Sequence, residues 1–187
     1  MNKSFQIVSA LCLCLVFFAL ASSQPEEATT WGESIAGLQM SLTSTGDRVQ
    51  VAFKNTGAHD LTLNLGTTLG NSSVQLPDRI KLSLTTEQGK TRVFKFFDGQ
   101  YPGVAGRVDP YVVPLRAGST YTLELTFDQF WCTETGEYGI KLPAGASRLT
   151  ARFDGLVANT TNSDMTGVKL MNFWQGTVES NTLRLQR

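Results

Sequence analysis

Between Arg48 and Gly66 the chain alternates twice. Val49, Val51 and Phe53 are separated by Gln50 and Ala52. After a break at Asn55-Thr56-Gly57, Leu61, Leu63 and Leu65 are separated by Thr62 and Asn64. A period of two sends one set of side chains to a buried face and the other to water. Asn and Gly in the break tolerate the positive φ angles of a tight connection. The stretch therefore predicts two amphipathic strands joined by a short turn, forming one inner wall of a β-sandwich.

The same period recurs along the chain. Leu38, Met40 and Leu42 mark an earlier strand, and Thr45-Gly46-Asp47 turns it into Arg48. Ile80, Leu82 and Leu84 mark another, and the turn at Glu87-Gln88-Gly89-Lys90 returns it through Arg92 to Phe97. That return carries apolar groups on both phases, as a strand covered on two sides would. Tyr121, Leu123, Leu125 and Phe127 give the cleanest alternation. Tyr138 with Ile140, and Leu149 with Ala151 and Phe153, predict two more strands. From Thr177 to Leu185 the apolar phase slips by one residue, which a β-bulge at Ser180-Asn181-Thr182 explains. Thr67–Asp78, Asp98–Pro114 and Gly155–Gly167 read as loops, the second holding three of the six prolines. Many short strands with frequent turns predict an all-β, two-sheet antiparallel sandwich. Inner residues as bulky as Phe53, Phe127 and Phe153 argue against an open barrel.

The N-terminus reads differently. Lys3 precedes an apolar run from Ile7 to Leu20, and Ala19-Leu20-Ala21 offers a small-x-small cleavage pattern. This is the form of a secretory signal peptide, and the run is shorter than the ~20 apolar residues a spanning helix needs. We expect a signal peptide over 1–21, a polar leader over 22–30 and one domain over 31–187, placed outside the cytoplasm, extracellular or periplasmic. Lys3 is the one charge in the signal, so 16 basic and 16 acidic residues become 15 against 16 after cleavage. A partner rich in phosphates would call for a basic excess, so nucleic acid is not expected. Of the cysteines, Cys12 and Cys14 leave with the signal and Cys132 remains, expected as a buried free thiol, with an intermolecular bridge as the alternative.

Three motifs carry a resemblance. Val51-Ala52-Phe53-Lys54-Asn55-Thr56-Gly57 resembles the strand-Asn-x-Gly turn of immunoglobulin-like accessory domains in secreted proteins. Leu115-Arg116-Ala117-Gly118-Ser119-Thr120-Tyr121 resembles their entry to a long inner strand. The third comprises Gly136-Glu137-Tyr138-Gly139-Ile140 and Gly176 to Leu183. Together they are similar to the non-catalytic β-sandwich domain of deuterolysin-type zinc peptidases and to small bacterial proteinase-inhibitor-like sandwiches. The resemblance implies an Ig-like fold and casts Tyr138 as a corner tyrosine bonded back to nearby backbone. It does not extend to the enzyme, because the chain has no His-Glu-x-x-His helix and one histidine, His59.

Catalytic patterns are missing from the sequence. His59 lies in a turn with no G-x-S-x-G elbow to partner it, and one His with one Cys falls short of a zinc set. Asp128, Glu134 and Glu137 cluster near Trp131, where acidic turn residues ordinarily face solvent. A non-enzymatic protein without cofactor is expected. Its candidate binding surface is the set of aromatics outside mid-strand positions: Tyr101, Tyr111, Phe130, Trp131 and Trp174, with Phe173 beside them. Such rings suit sugars or protein hot spots, and the competing reading is that they plug the ends of the core. Three roles remain open: an interaction or structural module with an unknown protein or glycan partner, a proteinase inhibitor using the 98–114 loop, or a carbohydrate-binding module. Asn71 and Asn159 fit the N-glycosylation acceptor, should the source be eukaryotic.

Overall fold

The computed structural model describes residues 30–69, 74–96, 108–158 and 172–187. The expected signal peptide, almost all of the leader, and Asn71, Tyr101 and Asn159 lie outside them. The described chain is all-β: β1 (Leu38–Thr45), β2 (Arg48–Asn55), β3 (Leu61–Leu69), β4 (Val74–Leu76), β5 (Ile80–Thr86), β6 (Thr91–Lys95), β7 (Val108–Leu115), β8 (Thr120–Thr126), β9 (Trp131–Cys132), β10 (Ala146–Gly155), β11 (Gly176–Glu179) and β12 (Leu183–Gln186). These strands pair antiparallel in three ladders, β1-β2-β8, β4-β3-β7 and β11-β10-β5-β6-β9, and β12 also pairs with β10. The arrangement is sandwich-like. Phe53 of β2 meets Phe153 of β10 edge to face, with ring centroids 5.1 Å apart. Both rings are fully buried, with Met40, Val51, Leu82 and Leu149 around them in one core.

The predicted inner wall divides between two ladders. β2 pairs with β1 and β8, whereas β3 pairs with β4 and β7. The break between β2 and β3 is thus a sheet-to-sheet corner and not a hairpin, and Asn55 explains why. Its buried amide donates to the carbonyls of His59, 2.9 Å, and Leu115, 3.0 Å, and accepts from Gly57 N–H, 2.9 Å. A polar side chain buried this deep needs its hydrogen bonds met, and only a chain that turns toward β7 meets them.

Three further expectations change. The described residues of Thr67–Asp78 are mostly strand, because β3 runs on to Leu69 and its last three residues pair with β4. The second half of Asp98–Pro114 is β7, whose prolines Pro110 and Pro114 face Thr67 and Thr62. β7 has one neighbour among the described residues, and an edge strand tolerates proline because its missing N–H can face away from the ladder. Tyr138 makes only an isolated bridge with Trp131 in place of a strand. It is 45% exposed, which is not the environment of a corner tyrosine.

The expected bulge is present. Glu179 faces Arg152 and Leu183 faces Leu149, so three residues on one strand span two on β10. Ser180 N–H bonds to Ala151 C=O, and Ala151 N–H bonds to Ser180 Oγ, 2.9 Å. Asn181 is thereby turned toward the edge of β1. Its amide accepts from Leu42 N–H, 2.7 Å, and donates to Leu42 C=O, 3.0 Å. A second bulge lies between Asn64 and Gly66 of β3.

Candidate functional site

Because Leu82, Phe94 and Phe153 face the core, Lys81, Lys95 and Arg152 face outward from the same strands. Register makes them neighbours. Glu179 of β11 faces Arg152 of β10, Arg152 faces Lys81 of β5, Lys81 faces Lys95 of β6, and Lys95 faces Trp131 of β9. Five residues far apart in sequence thus form one row across the outer face.

The row borders a groove of about 580 Å³ lined by Arg79, Lys81, Lys95, Trp131, Asp154 and Leu156, with Asp78 beside them. A second depression, lined in part by Asn64, Asp109 and Val157, shares Arg79 and Leu156 with it. Leu156, Val157 and Val108 are each about half exposed and give this region an apolar rim.

Asp154 organises the charges. It accepts from Lys81 Nζ at 2.8 Å, from Arg152 Nε at 2.9 Å and from Thr177 Oγ1 at 3.0 Å. Partial burial pushes its carboxyl up, but the bonds from Lys81, Arg152 and Thr177 outweigh that and hold it down at about 2. A general base works best with a pKa near the operating pH, so Asp154 is a fixed anion and not a proton acceptor. Lys95 has no ion pair among the described residues. Two side chains that line the groove also carry an unmet donor behind its surface: Arg79 Nε and Trp131 Nε1 are buried without a hydrogen-bond partner among the described residues. Leaving a buried donor unpaired costs about 1–3 kcal/mol. A ligand carrying acceptors would recover that.

Of the described members of the expected aromatic surface, Trp131 alone is not buried and lines the groove. Trp174 is 3% exposed, stacked on Phe153 at 5.7 Å, with its indole N–H directed to the Ile35 and Ala36 carbonyls. It lies so close over Gly155 that a Cβ there would come within 2.3 Å of its ring. Phe130 is fully buried against Phe96. Tyr111 is buried with its hydroxyl 2.6 Å from that of Tyr121, and Phe173 is buried beside Ala158. These four are core plugs, since each ring has more apolar surface to bury than its strand end would otherwise cover. The 98–114 segment correspondingly loses Tyr111 as a contact, and Tyr101 lies outside the described residues. His59 is exposed, and Cys132 is buried.

Sequence reading missed Arg79, Lys81, Lys95, Arg152 and Asp154. The available signal was that all but Arg79 occupy the outward phase of a strand. Nothing in the sequence said which outward phases would be adjacent. Among the described residues no group of three His, Cys, Asp or Glu could hold a metal, and no helix is long and apolar enough to cross a membrane. No protein-family model matches the chain, and no curated protein sequence matches it.

Proposed function

We propose that the chain is a secreted, non-enzymatic Ig-like β-sandwich module that acts outside the cytoplasm by binding a ligand in the groove between Arg79 and Trp131. One observation carries this reading: two different side chains lining one groove each keep a buried N–H without a partner among the described residues. Buried polar groups are nearly always satisfied, and exceptions call for an explanation. A bound acceptor supplies one. The half-buried indole beside two lysines adds a flat surface and positive charge, and the resemblance to accessory domains of secreted proteins agrees with a supporting role.

The test is a glycan and secreted-protein array probed with the full-length protein and with Trp131→Phe, which keeps most of the apolar bulk but removes the indole N–H. A ligand bound by the parent and lost or weakened in Trp131→Phe and Arg79→Gln supports the reading. Arrays on which no ligand depends on either residue overturn it. N-terminal sequencing of protein recovered from the medium should begin near Ser22; a chain retained in the cell and starting at Met1 would remove the secretory part.

A further inference from the structure

The outer face of the β10-β5-β6 ladder carries more charge than the groove uses. Arg148 of β10 faces Arg184 of β12, and Arg152 and Lys95 both face Lys81. Like charges directly opposite on neighbouring strands are destabilising, yet this face has three such pairs. Five cations, Lys81, Lys95, Arg148, Arg152 and Arg184, stand there with three carboxylates, Asp154, Glu179 and Glu87, the last lining a depression with Arg148 and Arg184. The whole chain balances 16 basic residues with 16 acidic ones. The excess is therefore segregation onto one face, not a consequence of composition.

We infer that this face binds an anionic polysaccharide, a chain of uronate sugars, laid along the cation row and ending on Trp131. The inference rests on the binding role proposed above and names its ligand class. From Arg152 to Trp131 the row crosses three strand spacings, about 14 Å, which fits a short run of pyranose rings and exceeds a single sugar. A uronate chain offers what the row lacks. Its carboxylates meet Lys95, which has no ion pair among the described residues, its ring face stacks on the indole, and its ring oxygens and hydroxyls accept from Arg79 Nε and Trp131 Nε1 once those two side chains turn toward the groove. Thr150, Ser83 and Thr85 supply hydroxyls at outward positions between the cations. Other polyanions fit less well. A nucleic-acid platform stacks successive bases on several aromatics, and among the described outward positions only Trp131 is aromatic. A membrane-binding face sets apolar side chains among its cations, where this one sets mostly hydroxyls.

The experiment is calorimetric titration of the full-length protein with polygalacturonate oligomers and with amylose as the neutral control. Polygalacturonate should bind, more weakly as salt rises, and amylose should not. Lys95→Glu should weaken binding by about tenfold or more, while its thermal midpoint stays or rises, because it puts opposite charges at the Lys81 register position. Asp154→Asn removes an anion from the face and should tighten binding. Equal affinity of the parent and Lys95→Glu, or failure to bind polygalacturonate, overturns the inference. So does preferential binding of duplex DNA, phosphatidylserine vesicles or a sulfated glycan. If polygalacturonate fails while an array ligand still depends on Trp131, only the ligand class falls. If both are silent, the binding role falls with it.

Discussion

Asn181 ties one ladder to another through two hydrogen bonds, and its removal should be expensive for a half-buried side chain. Its amide pairs with both backbone groups of Leu42, whose side chain is fully buried on the edge strand β1. Asn181→Ala deletes two bonds worth about 1 kcal/mol each and leaves an N–H and a C=O short of partners. Water can reach part of this site, so we place the loss at about 2–3 kcal/mol. For a domain of this size that lowers the thermal midpoint by roughly 5–10 °C. Asn181→Asp sharpens the test. An ionised carboxylate still accepts from Leu42 N–H but opposes Leu42 C=O, where the amide donated. Its protonated form can donate there, so folding raises the carboxyl's pKa above the unfolded value of ~3.9. A group raised on folding contributes its stability below the unfolded pKa and loses it as pH rises through the folded one. The deficit of Asn181→Asp relative to the parent should therefore be larger at neutral pH than near pH ~4. Thermal melts followed by circular dichroism at both pH values decide it. A midpoint within ~2 °C of the parent for Asn181→Ala, or an Asp deficit that does not shrink on acidification, would show that the contact does not hold the two edges together.

Gly66 and Gly46 both have positive φ, at 147° and 64°, but in different surroundings. A Cβ on Gly66 would meet Leu76 C=O at 2.3 Å, whereas nothing lies within 4 Å of one on Gly46. Gly66→Ala should thus cost more than ~3 kcal/mol by combining strain with a backbone clash, and Gly46→Ala ~1–2 kcal/mol; equal losses in urea unfolding would refute the distinction. Asp154 has a pKa held at about 2, so its contribution is present above the unfolded value of ~3.9 and is lost as pH falls through the folded one. The stability gap between the parent and Asp154→Asn should be flat above pH ~5 and close as pH falls toward the folded value; a gap independent of pH down to that range would show that the three donors do not hold the carboxylate.

What could be read in the sequence was the inward phase. Met40, Val51, Leu82 and Phe153 lie in the core because alternation states burial directly. The slip between Val178 and Leu183 announced its bulge for the same reason. Pairing partners were less accessible. Asn55 read as a turn residue, and only the position of Leu115 C=O shows that its amide closes a corner between ladders. Prolines 110 and 114 read as loop, since a sequence does not state whether a strand is at an edge. Aromatics at strand ends were ambiguous because a ring suits a plug and a platform equally. Trp174 has Gly155 and Gly176 against its ring, and among the described residues Trp131 has no such neighbours.

The outward row was least legible, because inward packing sets the register and the outer neighbours follow from it. The bulge at Ser180 illustrates this dependence. Along β11 each residue pairs with the β10 residue whose number sums with it to 331, and along β12 the sum is 332. Without the extra residue Arg184 would face Ser147, which is buried, and Leu183 would face Arg148 in solvent. A buried unpaired guanidinium is costly, so the chain reaches its C-terminal strand only by bulging. The same extra residue sends the Asn181 amide to Leu42 and places Arg184 opposite Arg148. One local irregularity, forced by an apolar phase slip, thus joins two sheet edges and completes the charged face at once. A stabilising device and the proposed binding surface therefore share a cause, and a variant that removed the bulge should damage both.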